Sequence, residues 1–404
     1  MSNETIRESV RIERPATGGG VGRMSDGRVV FVRHSLPGEL VEVDVTETTA
    51  NFYRGDAIEV LEASPDRVTA PCRYAVPGGC GGCDLQHASP AAQLNWKASL
   101  VREHLKRIAG VEYDVEVTPV AGSGEGSRTR LRCAVNDEGE LCLRGVRSHT
   151  LIPIQSCWVA NEAFKPAFST SWDGAEEVEL RAIGDGPAFA VVKRDTFRGV
   201  LYELCSLKGE PLEPHTQSRV QVQDYVFSVS PRAFWQAHRD APEVLLSTVL
   251  KFADVKAGDH VVDLFSGVGL FSVPLAQIVG PGGKVTAVES SPYAVRDARE
   301  NADKLRWLRV REWNVAPRAI NDSVASGDVV VLDPPRSGLA KGVADALVRR
   351  APRRIVYVSC DPATFARDLK VLVAGGFELK ELKAFDLFPM TEHVEVVALL
   401  DNTL

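Results

Sequence analysis

No run of apolar residues approaches the ~20 needed to span a bilayer, and residues 1–15 contain no apolar stretch of the kind a secretory signal carries. Both absences argue against a membrane partner and for a cytoplasmic location. Internal repeats and low-complexity segments are also missing, which argues against a solenoid or a disordered linker protein. An excess of positive charge is lacking too: 47 Lys and Arg stand against 54 Asp and Glu, a net charge of -7. That balance counts mildly against a nucleic-acid partner, but binding uses local patches. Two are present. Residues 336–354 carry Arg336, Lys341, Arg349, Arg350, Arg353 and Arg354 against Asp345, and residues 96–107 carry Lys97, Arg102, Lys106 and Arg107 against Glu103. Each is equally readable as a solvated helix face.

What is there suffices for a large core: 404 residues, 44% of them hydrophobic, enough for two to three domains. Residues 5–62 read as short β-branched strands separated by Gly-rich turns, a small five-stranded barrel. Its opening strand leads into Thr17-Gly18-Gly19-Gly20-Val21-Gly22-Arg23, a loop through which backbone can approach a ligand, or simply a turn. Residues 90–110 predict a helix with Ser89 as N-cap and Gly110 as stop. Residues 113–228 predict a mostly antiparallel sheet. From about residue 240, apolar strands alternate with helical patterns, which indicates a parallel sheet buried on both faces. The expected domains are 1–65, a β-barrel; 66–228, a central domain with a cysteine cluster; and 229–404, an α/β domain. The helix at 90–110 is expected to pack on the last of these.

The segment from Val261 to Gly269 is a buried strand that ends in Asp263 and a Gly267-Val268-Gly269 turn. In a doubly wound sheet, ligands sit at the carboxyl ends of strands beside such a turn. A dinucleotide fingerprint would place a third glycine where Ser272 stands, which weakens that reading. The next strand ends in Glu289, suited to accept hydrogen bonds from ribose hydroxyls; the plainer alternative is a cap on the following helix. Asp333-Pro334-Pro335 follows a further apolar strand, its prolines holding a loop rigidly at the same edge.

Cys360 lies just past another buried strand. A buried cysteine is usually a small apolar residue, but one at the lip of this edge can meet a substrate. Carbon 5 of uracil is too weak a nucleophile to attack a sulfonium methyl, and a thiolate adding to C6 creates an enolate that can. A base must then remove the C5 proton. Glu395 is the candidate, Glu392 a competitor, and His393 a structural hydrogen-bond partner. Cys72, Cys80 and Cys83 form a compact group. Three close thiolates with a distant fourth hold iron–sulfur or zinc, and spacing alone does not choose. In a reducing compartment the eight cysteines are not read as a disulfide framework. Cys133, Cys142 and Cys205 read as core.

The motifs DLFSGVGLFS, LDPPRSGL, YVSCDPATFARDL and FPMTEHVEVV resemble the RNA 5-methyluridine methyltransferases that act on 23S ribosomal RNA and tRNA, and the likeness runs over nearly the whole chain. The resemblance implies a Rossmann-like class I methyltransferase domain, a TRAM or OB-like N-terminal barrel that binds RNA, and S-adenosyl-L-methionine as cofactor. It places the nucleophile at Cys360 and the base at Glu395. It places cofactor contacts at Gln236 (within Ser230-Pro231-Arg232-Ala233-Phe234-Trp235-Gln236), Phe265, Gly267, Glu289 and Asp333. Leu270 departs from the family, where some members carry asparagine. The resemblance implies a [4Fe-4S] cluster on Cys72, Cys80, Cys83 and Cys157. The barrel is not basic overall, so its grip on RNA is expected from loops and from aromatics such as Phe52 and Tyr53. The expected partner is RNA, 23S ribosomal RNA ahead of tRNA, with no DNA partner and a monomeric chain. The alternative is a non-catalytic RNA-binding or ribosome-assembly protein with the same fold.

Overall fold

In the computed structural model the chain is described over residues 6–120, 124–197, 199–213 and 217–403. The first residues of the expected barrel segment, and residue 404 of the expected α/β domain, lie outside these. The N-terminal sheet has six strands: β1 (Arg7–Arg11), β2 (Arg14–Ala16), β3 (Gly19–Arg23), β4 (Val29–Arg33), β5 (Leu40–Thr48) and β6 (Phe52–Glu62), ordered β1-β5-β6-β4-β3-β2. Alternating valines (Val30, Val32, Val41, Val43) fill its core. Two expectations change here. The sheet has one strand more than expected, because the chain breaks after Arg11 into the short β2. Most of the glycine segment is strand β3, not a ligand loop. A Cβ on Gly20 would stand 2.5 Å from Ile12 and one on Gly22 2.4 Å from Val10, so glycine there serves close strand packing.

Helix α1 (Pro90–His104) has the expected cap, Ser89 accepting from Ala92 N at 3.3 Å. It ends six residues early: a π turn over Leu105–Ala109 leads to Gly110, whose φ of 72° closes it. β7 (Val117–Pro119) also departs from expectation, since it joins the C-terminal sheet beside a much later strand. The central antiparallel sheet holds β8 (Arg130–Val135), β9 (Leu141–Arg144), β10 (Leu151–Pro153), β11 (Glu177–Arg181), β12 (Phe189–Thr196) and β13 (Gly199–Ser206) in the order β10-β9-β8-β11-β12-β13. A hairpin of β14 (Ser218–Val222) and β15 (Tyr225–Val229) follows.

The C-terminal layer comprises α2 (Ala241–Ala253), β16 (His260–Leu264), α3 (Ser272–Val279), β17 (Lys284–Glu289), α4 (Pro292–Asn301), β18 (Leu308–Glu312), α5 (Pro317–Ser323), β19 (Val329–Leu332), α6 (Val343–Arg350), β20 (Arg354–Ser359), α7 (Pro362–Ala374), β21 (Phe377–Asp386) and β22 (Glu395–Asn402). Its sheet order is β18-β17-β16-β19-β20-β22-β21-β7, parallel through β20, with β22 antiparallel to both neighbours. This is the class I methyltransferase arrangement. Its central strands are buried beyond their first residues because helices cover both faces, which is why they read as apolar runs. Helix α1 and its π turn pack on α7. Among the described residues no helix is long and apolar enough to cross a membrane.

Candidate active site

Four parallel strands of the C-terminal sheet (β16, β17, β19 and β20) end on one edge, and the loops that leave them wall a cavity of about 940 Å³. β16 feeds the glycine turn. Phe265 takes a φ of 63°, rare for a bulky residue, and is held there because its N–H donates to Val288 O at 2.9 Å. Gly267 (φ 55°) has nothing within 4 Å of where a Cβ would stand, so the turn presents bare backbone to the cavity. Ser272, in place of the third glycine, opens α3, and its hydroxyl donates to buried Asp263 beneath the turn. Burial pushes Asp263 up to about 7.

Glu289, at the end of β17, accepts from Gly267 N at 3.0 Å and from Ser290 N and Ser291 N at 2.7 Å each. It therefore braces the turn and the entry of α4 together, while its side chain lines the cavity. Gln236 donates to Asp333 at 3.3 Å across the cavity. Burial lifts Asp333 to about 7, opposed by that hydrogen bond.

Cys360, at the end of β20, and Glu395, at the start of β22, line the same cavity. Burial first, then Glu395, pushes the Cys360 thiol up to about 12, while Arg336 draws it down. Glu395 is itself held well above the carboxylate range by burial and by Asp333, again opposed by Arg336. Every expected site residue of the methyl-transfer edge (Gln236, Phe265, Gly267, Glu289, Asp333, Cys360 and Glu395) is thus on one cavity wall. Leu270 is buried in the core instead.

Glu392 is not on that wall. It turns to the N-terminal barrel and accepts from Gly18 N at 2.6 Å. His393 lies 3.3 Å from the Arg336 guanidinium, and burial pulls its pKa to about 4, so a neutral ring is available to accept. Of the barrel aromatics, Tyr53 is 5% exposed with its hydroxyl on Asp26 at 2.9 Å, so it serves the core and is unavailable to RNA. Phe52 is half-buried under Arg54.

A second cavity, of about 570 Å³, is lined by Cys72, Cys80, Cys83 and Cys157. All are free thiols, and among the described residues no three His, Cys, Asp or Glu groups stand close enough to share one metal ion. Burial pushes Cys83 up to about 12 and raises Cys80 and Cys157, with Arg128 opposing in each case. Arg336 lines both cavities. In the sequence it falls in a basic run and in the LDPPRSGL motif, with no role assigned. Its position directly after Asp-Pro-Pro was the available signal.

A family model described as tRNA (uracil-5-)-methyltransferase matches residues 308–403, and a TRAM domain model matches residues 6–58. An uncharacterized RNA methyltransferase of Streptomyces avermitilis is 39% identical, over 96% of each chain. A 23S rRNA (uracil(1939)-C(5))-methyltransferase of Acinetobacter baylyi is 32% identical, over 93% of this chain and 89% of that one. The crystal structure of Pyrococcus abyssi tRNA (uracil-54, C5)-methyltransferase in complex with S-adenosyl-L-homocysteine superposes with a TM-score of 0.68 at 26% identity, over 97% of this chain and 100% of that one. With this sequence likeness along its length, and an edge bearing a thiol, an acid and a glycine turn, the chain belongs to the RNA 5-methyluridine (uracil-C5) methyltransferase family.

Proposed function

We propose that this protein methylates carbon 5 of a uridine in RNA, with S-adenosyl-L-methionine as methyl donor and 23S ribosomal RNA as substrate. The observation that carries the reading is the single cavity shared by the Cys360 thiol, the Glu395 carboxyl and the glycine turn. Gln236, Phe265, Gly267, Glu289 and Asp333 are the residues that would hold the donor, whose sulfonium supplies an electrophilic methyl group.

The remaining work falls to the chain. A uridine turned out of its stack fits a cavity of this size. The Cys360 thiolate forms a bond to C6, and the C5–C6 π pair shifts toward C5, which then takes up the methyl group. The Glu395 carboxylate removes the C5 proton, the electron pair re-forms the double bond, and the Cys360 thiolate leaves. The Arg336 guanidinium favours the ionised form of both groups. Glu392, committed to the barrel, is not in reach of this chemistry.

The ribosomal substrate is favoured by the Acinetobacter relative, which is the more similar at 32% identity against 26% for the tRNA enzyme. Cys72, Cys80, Cys83 and Cys157 around the second cavity are the residues that would hold a [4Fe-4S] cluster. Each thiolate of such a cluster binds its own iron, and all four thiols line this one cavity. The cluster would hold these buried thiols as thiolates and order the segment that leads from the barrel to α1.

The test is methylation of transcribed 23S ribosomal RNA and tRNA by anaerobically purified, brown protein absorbing near ~400 nm, with 5-methyluridine mapped in the product. Cys360→Ala is expected to abolish product and leave donor binding intact. Normal turnover by that variant would overturn the nucleophile. A wild-type chain that binds RNA and donor yet makes no product would favour the non-catalytic alternative.

A further inference from the structure

Beside the active-site cavity lies another of about 460 Å³, and the two share Tyr202 and Arg232 on their common wall. Arg232 is sandwiched between rings, 4.7 Å from the centre of Tyr202 and 4.5 Å from that of Tyr293, and it donates to the Tyr293 hydroxyl at 2.6 Å. Nearby carboxylates are already engaged: Glu203 pairs with Arg194 at 2.8 Å and Asp297 with Arg296 at 3.5 Å. Among the described residues Arg232 has no ion-pair partner.

The backbone that carries Arg232 is fixed from both sides. Buried Asp297 accepts from Ser230 N at 2.6 Å and from the Ser230 hydroxyl at 2.5 Å. Buried Arg181 donates to the carbonyls of Pro231 and Ala233, the second at 2.6 Å. A guanidinium held in place but not neutralised is preorganised for an incoming anion. Leu204, Pro211 and Leu212 give the cavity an apolar wall, beside the already paired Glu203 and Arg296. Tyr202 is 47% exposed, so its ring is open to a ligand at the cavity mouth. A volume with one apolar wall, an aromatic edge and a guanidinium without an ion-pair partner at its mouth suits a nucleobase and its phosphate.

We infer that this cavity is a second base pocket, in which a nucleotide adjoining the target uridine leaves its stack, packs its base on Tyr202 and the apolar wall, and lays its phosphate on Arg232. The inference rests on the RNA reading above, since it needs a uridine in the neighbouring cavity. It makes Tyr202 and Arg232 determinants of which sequence context the enzyme accepts.

The test uses the full chain and transcribed 23S ribosomal RNA or tRNA, whichever the wild type binds more tightly. RNA affinity is read without donor, KM and kcat with it, and donor affinity by calorimetry. Tyr202→Ala is expected to weaken RNA affinity and raise KM by about 5- to 150-fold, the worth of one stacked base, with kcat and donor affinity unchanged. Tyr202→Trp restores binding because a ring is kept. Arg232→Met lowers the slope of log affinity against log salt by about 0.7, one phosphate contact on a single strand. Unchanged RNA affinity in both Tyr202→Ala and Arg232→Met would overturn the pocket, and so would a parallel loss of donor affinity, which would assign the cavity to the cofactor. A wild type that binds RNA without methylating it defeats the earlier reading alone, because the binding measurements still decide this one.

Discussion

In the free protein burial, then Glu395, holds the Cys360 thiol at about 12, and burial, then Asp333, holds Glu395 well above the carboxylate range. The thiol is therefore protonated at neutral pH and the carboxyl is shifted toward its protonated form, yet the proposed chemistry uses each deprotonated. The sign follows: kcat/KM should climb with pH through the neutral and alkaline range as these groups ionise. Arg336 lowers both pKa values, so Arg336→Met should move the rising limb to higher pH and cut the rate at pH 7 about tenfold for each pKa unit lost. A lowered rate with an unmoved limb would reduce Arg336 to a packing role. Cys360 was legible in the sequence because a cysteine just past an apolar strand is an unusual place for a core residue. Arg336 was not, since the groups it acts on lie 24 and 59 positions along the chain and only the fold brings them near.

The strands of the C-terminal sheet were legible for a physical reason: burial on both faces leaves no polar alternation, so Val329–Leu332 and Ile355–Val358 read as unbroken apolar runs. The exit of α1 was less so, because Leu105–Ala109 keeps helix-compatible residues while its hydrogen bonding changes register to the π form. β7 was misplaced because three residues carry no topology; its partner is β21, more than 260 positions later. What ties α1 to that sheet is also long-range. Lys97, fully buried, donates to Asp386 at the end of β21 and to Phe388 O at 2.9 Å, in the loop that delivers Glu395. Lys97→Met would leave Asp386 without its cation, costing about 3–5 kcal/mol, whereas adding Asp386→Leu should recover most of it. Urea denaturation of the single and double variants measures this. A single variant as stable as the wild type would show that the pair contributes nothing.

The N-terminal barrel and the C-terminal loop meet at a half-buried polar junction, where Gly18 N donates to Glu392. The sequence could offer Glu392 only as a rival base, three positions from Glu395. The barrel contact that claims it spans 374 residues, beyond any local pattern. Burial and Asp84 raise Glu392 to about 7, against 4.5 for an unburied glutamate, with the Gly18 hydrogen bond opposing. A carboxyl raised on folding binds more protons in the folded state, so stability is greatest below pH 4.5, falls as pH climbs toward 7, and is level above that as far as this group is concerned. The loss is on the order of 2 kcal/mol after allowance for partial solvent access. Glu392→Gln keeps an acceptor for Gly18 and removes the charge. It should therefore match the wild type near pH 4.5 and melt higher at pH 8. Melting curves for the two proteins at both pH values decide it: a constant difference between them would mean that Glu392 does not titrate at the junction.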